Sequence, residues 1–237
     1  MLEQDSEVRL AGTGLLLRDS NDGIEILLLR RNANLAFAGG AWVFPGGSVD
    51  RAELDSASTQ ERAARIATVR EISEECGLEV QAKDLIHFCN WTTPEGEKRR
   101  FSTWFFVANV EDSSQKVTID DGEIHEFRWI TPQEAINLHH LGQLNLMPPT
   151  YLSIRLVSNF NSAKKACKSL NQRESFSVTP RLCQVDDKWI CLYLGDAGFA
   201  NTNPNLLGPQ HRTTFTANGM NYIHTGEDVG IKAMDAP

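Results

Sequence analysis

The chain is predicted to form a mixed α/β domain, one sheet flanked by helices, on three observations. Residues 24–30 (IEILLLR) are a nearly unbroken apolar run following the turn-like Ser20-Asn21-Asp22-Gly23, and with residues 14–18 they read as a hairpin of buried strands. Residues 60–76 carry a helical pattern with a stop signal at Gly77. The order of elements is strands, one long helix, strands and then helices, which is not the regular alternation of βαβ units.

Between the first hairpin and the long helix lie a glycine-rich passage, residues 37–47 (FAGGAWVFPGG), and a polar stretch from Ser48 to about Thr59. Past Gly77, residues 85–91 and 101–110 read as strands joined by a charged loop, residues 94–99. Asp121-Gly122 marks a turn before a short strand at residues 127–130. Thr131-Pro132-Gln133-Glu134 then opens a helix, with a Thr cap, Pro at the first helical position and Glu three residues after the cap. A further helix starts near Thr150 and carries Leu152, Ile154, Leu156 and Val157, and Asn218-Gly219 signals a type I′ hairpin. His139-His140, late in a helical segment, read as a solvated or dipole-stabilised pair. There is no internal repeat and no low-complexity linker.

At 237 residues and 41% hydrophobic composition the chain can bury a sizeable core, and it reads as one domain, with a core at about residues 8–135 and a helical and hairpin extension at about 136–237. A formal charge of -8 argues against nucleic acid as a general partner. The odd, scattered set Cys76, Cys89, Cys167, Cys183 and Cys191 fits reduced thiols in a cytoplasmic protein. Neither a secretory signal nor an apolar stretch long enough for a spanning helix is recognisable, so no membrane is expected as partner.

Residues 70–78 read Arg-Glu-Ile-Ser-Glu-Glu-Cys-Gly-Leu. On a helix Glu71, Glu74 and Glu75 share one face, while Val69, Ile72 and Cys76 lie on another arc that can face the core. At about 5 Å and an effective dielectric near 20, each carboxylate pair repels by roughly 3 kcal/mol. Taken alone, such a face is a solvated acidic surface more often than a site. A divalent cation would remove the repulsion, and all-oxygen ligands suit Mg²⁺ or Mn²⁺.

Residues 70–78 match the pattern R-E-U-x-E-E-x-G-U, where U is aliphatic, with Gly46-Gly47 upstream. This resembles the signature box of the Nudix hydrolases. The resemblance implies an α/β/α sandwich with a mixed β-sheet and a box that forms loop, helix and loop. The family pattern places fourteen steps between the box glycine and the arginine, whereas Gly47 and Arg70 are 23 apart, an insertion of nine. It also places a glutamate eight positions before the arginine; Arg62 stands there, and the adjacent Glu61 is the expected substitute. Residues 27–47, residues 91–108 and Pro148-Pro149-Thr150 further resemble the branch containing peroxisomal coenzyme A diphosphatases. That branch's coenzyme A signature is matched in part, since Arg31 is followed by Asn32 instead of Ser or Ala and the later arginine position is Ala36.

The resemblance implies a magnesium- or manganese-dependent hydrolase that cuts the pyrophosphate of a small-molecule nucleoside diphosphate derivative, by attack of water on phosphorus without a covalent intermediate. Glu74 and Glu75 are then metal ligands, Glu71 a third ligand or the base, and Arg70 the holder of a box carboxylate. The Gly46 carbonyl is the expected backbone ligand. Glu123, preferred over Glu126, is the distant acidic ligand ahead of Trp129. Arg30, Arg31 and Arg100 are candidates for the substrate phosphates.

Coenzyme A or an acyl derivative is the first substrate reading, and ADP-ribose or a nucleotide sugar the second. A non-catalytic binding module is the third, disfavoured because Glu71, Glu74 and Glu75 are all kept. In the extension Leu152, Leu156, Trp189, Leu192 and Leu194 need a partner surface. They are expected to pack on the core and shape the pocket, to build a homodimer interface, or both.

Overall fold

The computed structural model describes residues 7–35, 38–111, 115–119, 122–226 and 231–237. The mixed α/β expectation is met. Strands β1 (Val8–Ser20), β2 (Gly23–Arg31), β3 (Trp42–Val43), β4 (Gly46–Ser48), β5 (Ile86–Thr92), β6 (Arg100–Asn109), β7 (Ile124–Ile130) and β8 (Phe176–Val178) form one mixed sheet. Its order is β3-β2-β1-β6-β5-β8, with β4 on β1 and β7 on β2. β1 runs parallel to β6 and antiparallel to β2 and β4. It therefore starts six residues before the expected strand, because its first half is paired on both sides.

The central strands are apolar without interruption because both of their faces are covered. Leu15, Leu17, Ile26, Leu28, Phe105 and Val107 enter one hydrophobic cluster. The alternating residues Leu16, Leu27, Leu29, Phe106 and Ala108 enter the other. The second cluster lies under α2 (Gln60–Cys76), whose Ala64, Ile72 and Cys76 are buried in it. The first is closed by α3 (Pro132–His140), α4 (Pro148–Val157) and α5 (Ala163–Gln172).

Several local readings are corrected. The polar stretch after Ser48 contains a short helix, α1 (Arg51–Ser56), with Asp50 as its N-cap. The terminal hairpin, β11 (His211–Thr216) and β12 (Gly219–His224), pairs Thr216 with Gly219, so the turn residues are Ala217 and Asn218. A type I′ turn needs positive φ at both of its central residues. Here only Gly219, after the turn, takes that conformation, at φ 88°. β11 and β12 continue into an antiparallel sheet with β10 (Lys188–Leu192) and β9 (Arg181–Val185), two strands the sequence did not announce. Trp189 and Leu194 are 49% and 48% exposed, so they lack the partner surface expected of them, whereas Leu152, Leu156 and Leu192 are buried. Asp121, half of the expected Asp121-Gly122 turn, lies outside the described residues, as does Ala36.

Of His139-His140, His140 is exposed as expected and His139 is not. His139 is buried, with Nδ1 2.8 Å from the Leu144 carbonyl and Nε2 accepting the Met220 N–H at 3.0 Å. Those partners require a neutral ring protonated at Nδ1, and burial lowers its pKa. The residue thus ties α3 to the second sheet. Residues beyond 135 are continuous with the core. β8 lies parallel to β5 at the edge of the main sheet, and Trp91 meets Tyr193 edge-on at 5.7 Å.

Truncation after Gly142 removes Tyr151, Leu152, Ile154, Leu156, Val157 and Leu170 from the larger cluster. The shortened chain is expected to lose cooperative thermal unfolding, followed by circular dichroism. A truncate that still melts cooperatively would show that the remaining residues form a complete core.

Candidate active site

The site forms where α2 crosses β4. β4 places Gly46 opposite Thr13 and Gly47 opposite Gly12 on β1. Gly14 N–H to Pro45 C=O and Val49 N–H to Leu10 C=O are the ladder bonds on either side. By alternation Gly46 is a non-hydrogen-bonded position, with its N–H and C=O both turned away from β1. The N–H donates to Glu75 Oε2 at 2.9 Å. At Gly46 a Cβ would stand 2.4 Å from the Gly12 carbonyl oxygen, a backbone clash that glycine avoids, and Gly47 lies directly against the Glu71 carboxylate.

Arg70 organises the acids. Its Nε donates to Glu53 Oε1 at 2.9 Å, and its Nη1 donates to Glu71 Oε1 at 2.8 Å and to Glu74 Oε2 at 2.9 Å. Nη2 donates to the Ser48 carbonyl at 3.1 Å, tying the fork to the glycine loop. These bonds hold the guanidinium charged and raise its pKa, Glu53 most of all. The three helix glutamates do not present one even face. The Glu74 side chain is 59% exposed and pairs only at the rim, while Glu75 is 6% exposed and points inward.

Arg31 faces that buried group. Nη1 is 3.8 Å from Glu75 Oε1 and Nη2 3.2 Å from Glu123 Oε2, and its buried Nε has no hydrogen-bond partner among the described residues. Burial pushes the Glu75 carboxyl up to about 8, with the charges of Glu71 and Glu123 adding and the Gly46 N–H and Arg31 opposing. Glu71 is raised by burial as well, against the pull of Arg70, with Glu74 and Glu123 adding. Glu71, Glu75, Glu123 and Gly46 therefore converge. Among the described residues, no group of three or more His, Cys, Asp or Glu is gathered as a metal site. Arg70 holds Glu71, the Gly46 N–H holds Glu75, and Arg31 reaches Glu123.

The other candidates lie further out. Arg30 and Glu126 pair with each other at 3.2 Å at the exposed sheet edge, and Glu126 also takes Arg128. Arg100 is buried at the start of β6, with Nε 3.3 Å from the Thr93 carbonyl. It pairs in register with Val8, four residues along β1 from Gly12, or about 13 Å from the Gly46-Gly47 level.

Glu61 does not replace the first box glutamate. It pairs with Arg65 one turn along α2, and Arg65 also bonds the Leu85 carbonyl. Glu53 stands in that place instead, buried on α1, with one oxygen on Arg70 and the other accepting the Asp50 N–H at 2.7 Å. The signal was in the sequence. Fourteen steps less eight puts this glutamate six after the glycine, and Glu53 is six after Gly47. Counting back from Arg70 crossed the insertion; counting forward did not.

Glu53→Gln is expected to lower turnover on the order of tenfold or more, as loss of a group orienting a site residue does, with Glu61→Gln close to wild type. Equal effects in a steady-state assay would contradict the assignment. Glu75 supplies a pH test. Its folded pKa is raised above the unfolded value of 4.5, so metal-free protein loses stability as pH rises from about 4.5 to 8. Glu75→Gln should remove that loss and raise the thermal midpoint in EDTA at pH 8. A midpoint unchanged or lowered there would contradict the burial of an uncompensated charge.

Residues 8–148 match the NUDIX domain family model. A Caenorhabditis elegans protein named for the family, nudix hydrolase 7, is 26% identical over 168 residues, covering 56% of this chain and 55% of the relative. An acyl-coenzyme A diphosphatase of Gallus gallus is 30% identical over 125 residues, covering 51% of this chain and 31% of the relative. The chain thus spans about half of the first relative's length and less of the second's. The crystal structure of a NUDIX hydrolase from Alicyclobacillus acidocaldarius superposes with a TM-score of 0.60 at 20% identity, covering 69% of this chain and 96% of that one, a likeness of fold. The match over residues 8–148, more than half of the chain and spanning the Gly46-Gly47 loop and the Arg70 helix, places this protein in the Nudix family.

Proposed function

We propose that the protein is a divalent-cation-dependent pyrophosphohydrolase of nucleoside diphosphate derivatives. The observation that carries the reading is Glu75, buried against Gly46 with Glu71 and Glu123 as like-charged neighbours and Arg31 as its facing cation. A carboxyl held up to about 8 in this way is a site short of positive charge. The donor set fits a hard cation: carboxylates of Glu71, Glu75 and Glu123, with Glu74 at the rim and the Gly46 carbonyl as the backbone donor. Mg²⁺ or Mn²⁺ held there would supply charge neutralisation at the pyrophosphate oxygens and a water of lowered pKa.

The chain's own groups do the rest. Arg70 fixes Glu71 and Glu74 at the helix while Glu53 fixes Arg70. Glu71, with its pKa raised, is suited to take a proton from the attacking water. Arg31, released from Glu75 and Glu123 as the site fills, is placed to meet a phosphate with its planar fork. Water adds its oxygen to one phosphorus, the bridging P–O bond breaks, and two phosphate monoesters leave. Such chemistry depends mainly on positioning and charge.

Coenzyme A or an acyl-coenzyme A is the substrate class favoured, on the similarity to the Gallus gallus acyl-coenzyme A diphosphatase. ADP-ribose or a nucleotide sugar is the second reading, since Asn32 and Ala36 depart from the coenzyme A signature. A panel of coenzyme A, acetyl-coenzyme A, ADP-ribose and a nucleotide sugar, with Mn²⁺ or Mg²⁺ and product identification, separates them. Release of 3′,5′-ADP with a phosphopantetheine supports the first, and AMP with a sugar phosphate the second. Activity should vanish in EDTA and fall on the order of a hundredfold in Glu75→Gln. Full turnover in metal-stripped protein overturns the reading.

A further inference from the structure

β2 changes register against β7 between Arg30 and Arg31, and Asn32 follows at once. Its main-chain N–H donates to the Glu123 carbonyl at 2.8 Å. Its side-chain Nδ2 donates to the Gly122 carbonyl at 3.2 Å, and Oδ1 accepts the Asn34 N–H at 3.0 Å. One residue therefore fastens two consecutive peptides of the loop entering β7, and its own turn sets the direction of its amide. The neighbouring Arg31 reaches Glu123 and Glu75 together. The Glu123 side chain is exposed on that loop and paired with Arg31, and an untethered backbone there would widen the range of positions its carboxylate can take.

We propose that Asn32 is a positioning residue for the cation site: by holding Gly122 and Glu123 against the end of β2, it presents the Glu123 carboxylate to Glu71 and Glu75. The inference rests on the metal-dependent reading above and adds a group outside the family box, at a position where this chain departs from the coenzyme A signature. Metal sites depend in this way on groups that orient their ligands. Asn is suited to the task because its amide donates to a carbonyl while its oxygen closes the local turn.

The test is Mn²⁺ binding to the full chain without substrate, followed by electron paramagnetic resonance of the free ion. Asn32→Ala and Asn32→Ser are expected to weaken binding by about tenfold, and Glu123→Gln by at least as much. Asn32→Ala combined with Glu123→Gln should bind no more weakly than Glu123→Gln alone, because the two act through one carboxylate. A merely structural Asn32 would lower the melting temperature and give additive effects on binding. Wild-type affinity in both Asn32 variants, or full additivity in the double variant, overturns the proposal. Should Asn32→Ala fail to fold, Asn32→Ser decides, since its hydroxyl can still accept the Asn34 N–H. If Glu123→Gln binds as wild type while Glu75→Gln has lost binding, this proposal falls and the metal site stands. If Glu75→Gln keeps wild-type binding, or the wild type binds no Mn²⁺, both fall.

Discussion

The five-donor fork of Arg70 is the interaction on which the site depends. Glu53, Glu71 and Glu74 could not otherwise sit together, and the Ser48 carbonyl on the same fork fixes the glycine loop beside them. A lysine would offer a point charge and could not address α1, α2 and the loop from one planar group. The consequence reaches the sheet, because the same loop brings the Gly46 N–H to Glu75 and lays Gly47 against Glu71. One guanidinium thereby aligns β4, α1 and α2, and the geometry of the acids follows from it.

What Arg70 does not reach is Glu75, and there the fold accepts a cost. A carboxyl buried beside two others is unfavourable, and one N–H and one distant guanidinium offset only part of the penalty. Nothing in the packing of α2 demands an acid there, since Ile72 and Cys76 already fill its buried arc. Arg31 adds to the conflict, with a buried Nε that no acceptor among the described residues satisfies. Strain of this kind, concentrated where two strands and one helix meet, marks functional chemistry more often than structure. The same groups, Glu75 and Arg31, are the ones a cation and a phosphate would satisfy.

The parts of the fold legible in the sequence were those with a long apolar run, a helical pattern or a capping residue. Residues 24–30 announced a strand buried on both faces because every second residue serves a different cluster. Residues 60–76 announced a helix, and Gly77 closes it at φ 66°. Thr131 likewise caps α3 by accepting the Glu134 N–H. The second sheet was hidden because β9 and β10 are only five residues each, and β9 has no fully buried residue while β10 buries only three, too few for an apolar run to stand out. Trp189 was mistaken for a buried anchor because apolar identity does not say which end of a short strand is covered. His139 was misread because its partners, Leu144 and Met220, come from a loop and from a strand 81 residues away. In the site, helical spacing placed Glu71, Glu74 and Glu75 together but could not rank their burial, which is set by β4 instead of α2.

The insertion explains why Glu53 was hidden and why it still works. Glu53 is tied to Gly47 by a short connection and Arg70 to Glu75 by the helix, so each half of the site is rigid by itself. Nine extra residues between them, about two and a half helical turns, change neither half. They are absorbed by the end of α1, the link at residues 57–59 and the first turns of α2. Those turns are packed, not extruded: Ala63, Ala64 and Ala67 are buried, and Gly12 on β1 lies so close that a Cβ would stand 2.4 Å from the Ala64 carbonyl. Through these residues α2 packs on β1 and is held in the orientation that delivers Arg70. A site assembled from two short rigid pieces tolerates length between them, provided the added length finds a surface, and β1 supplies it.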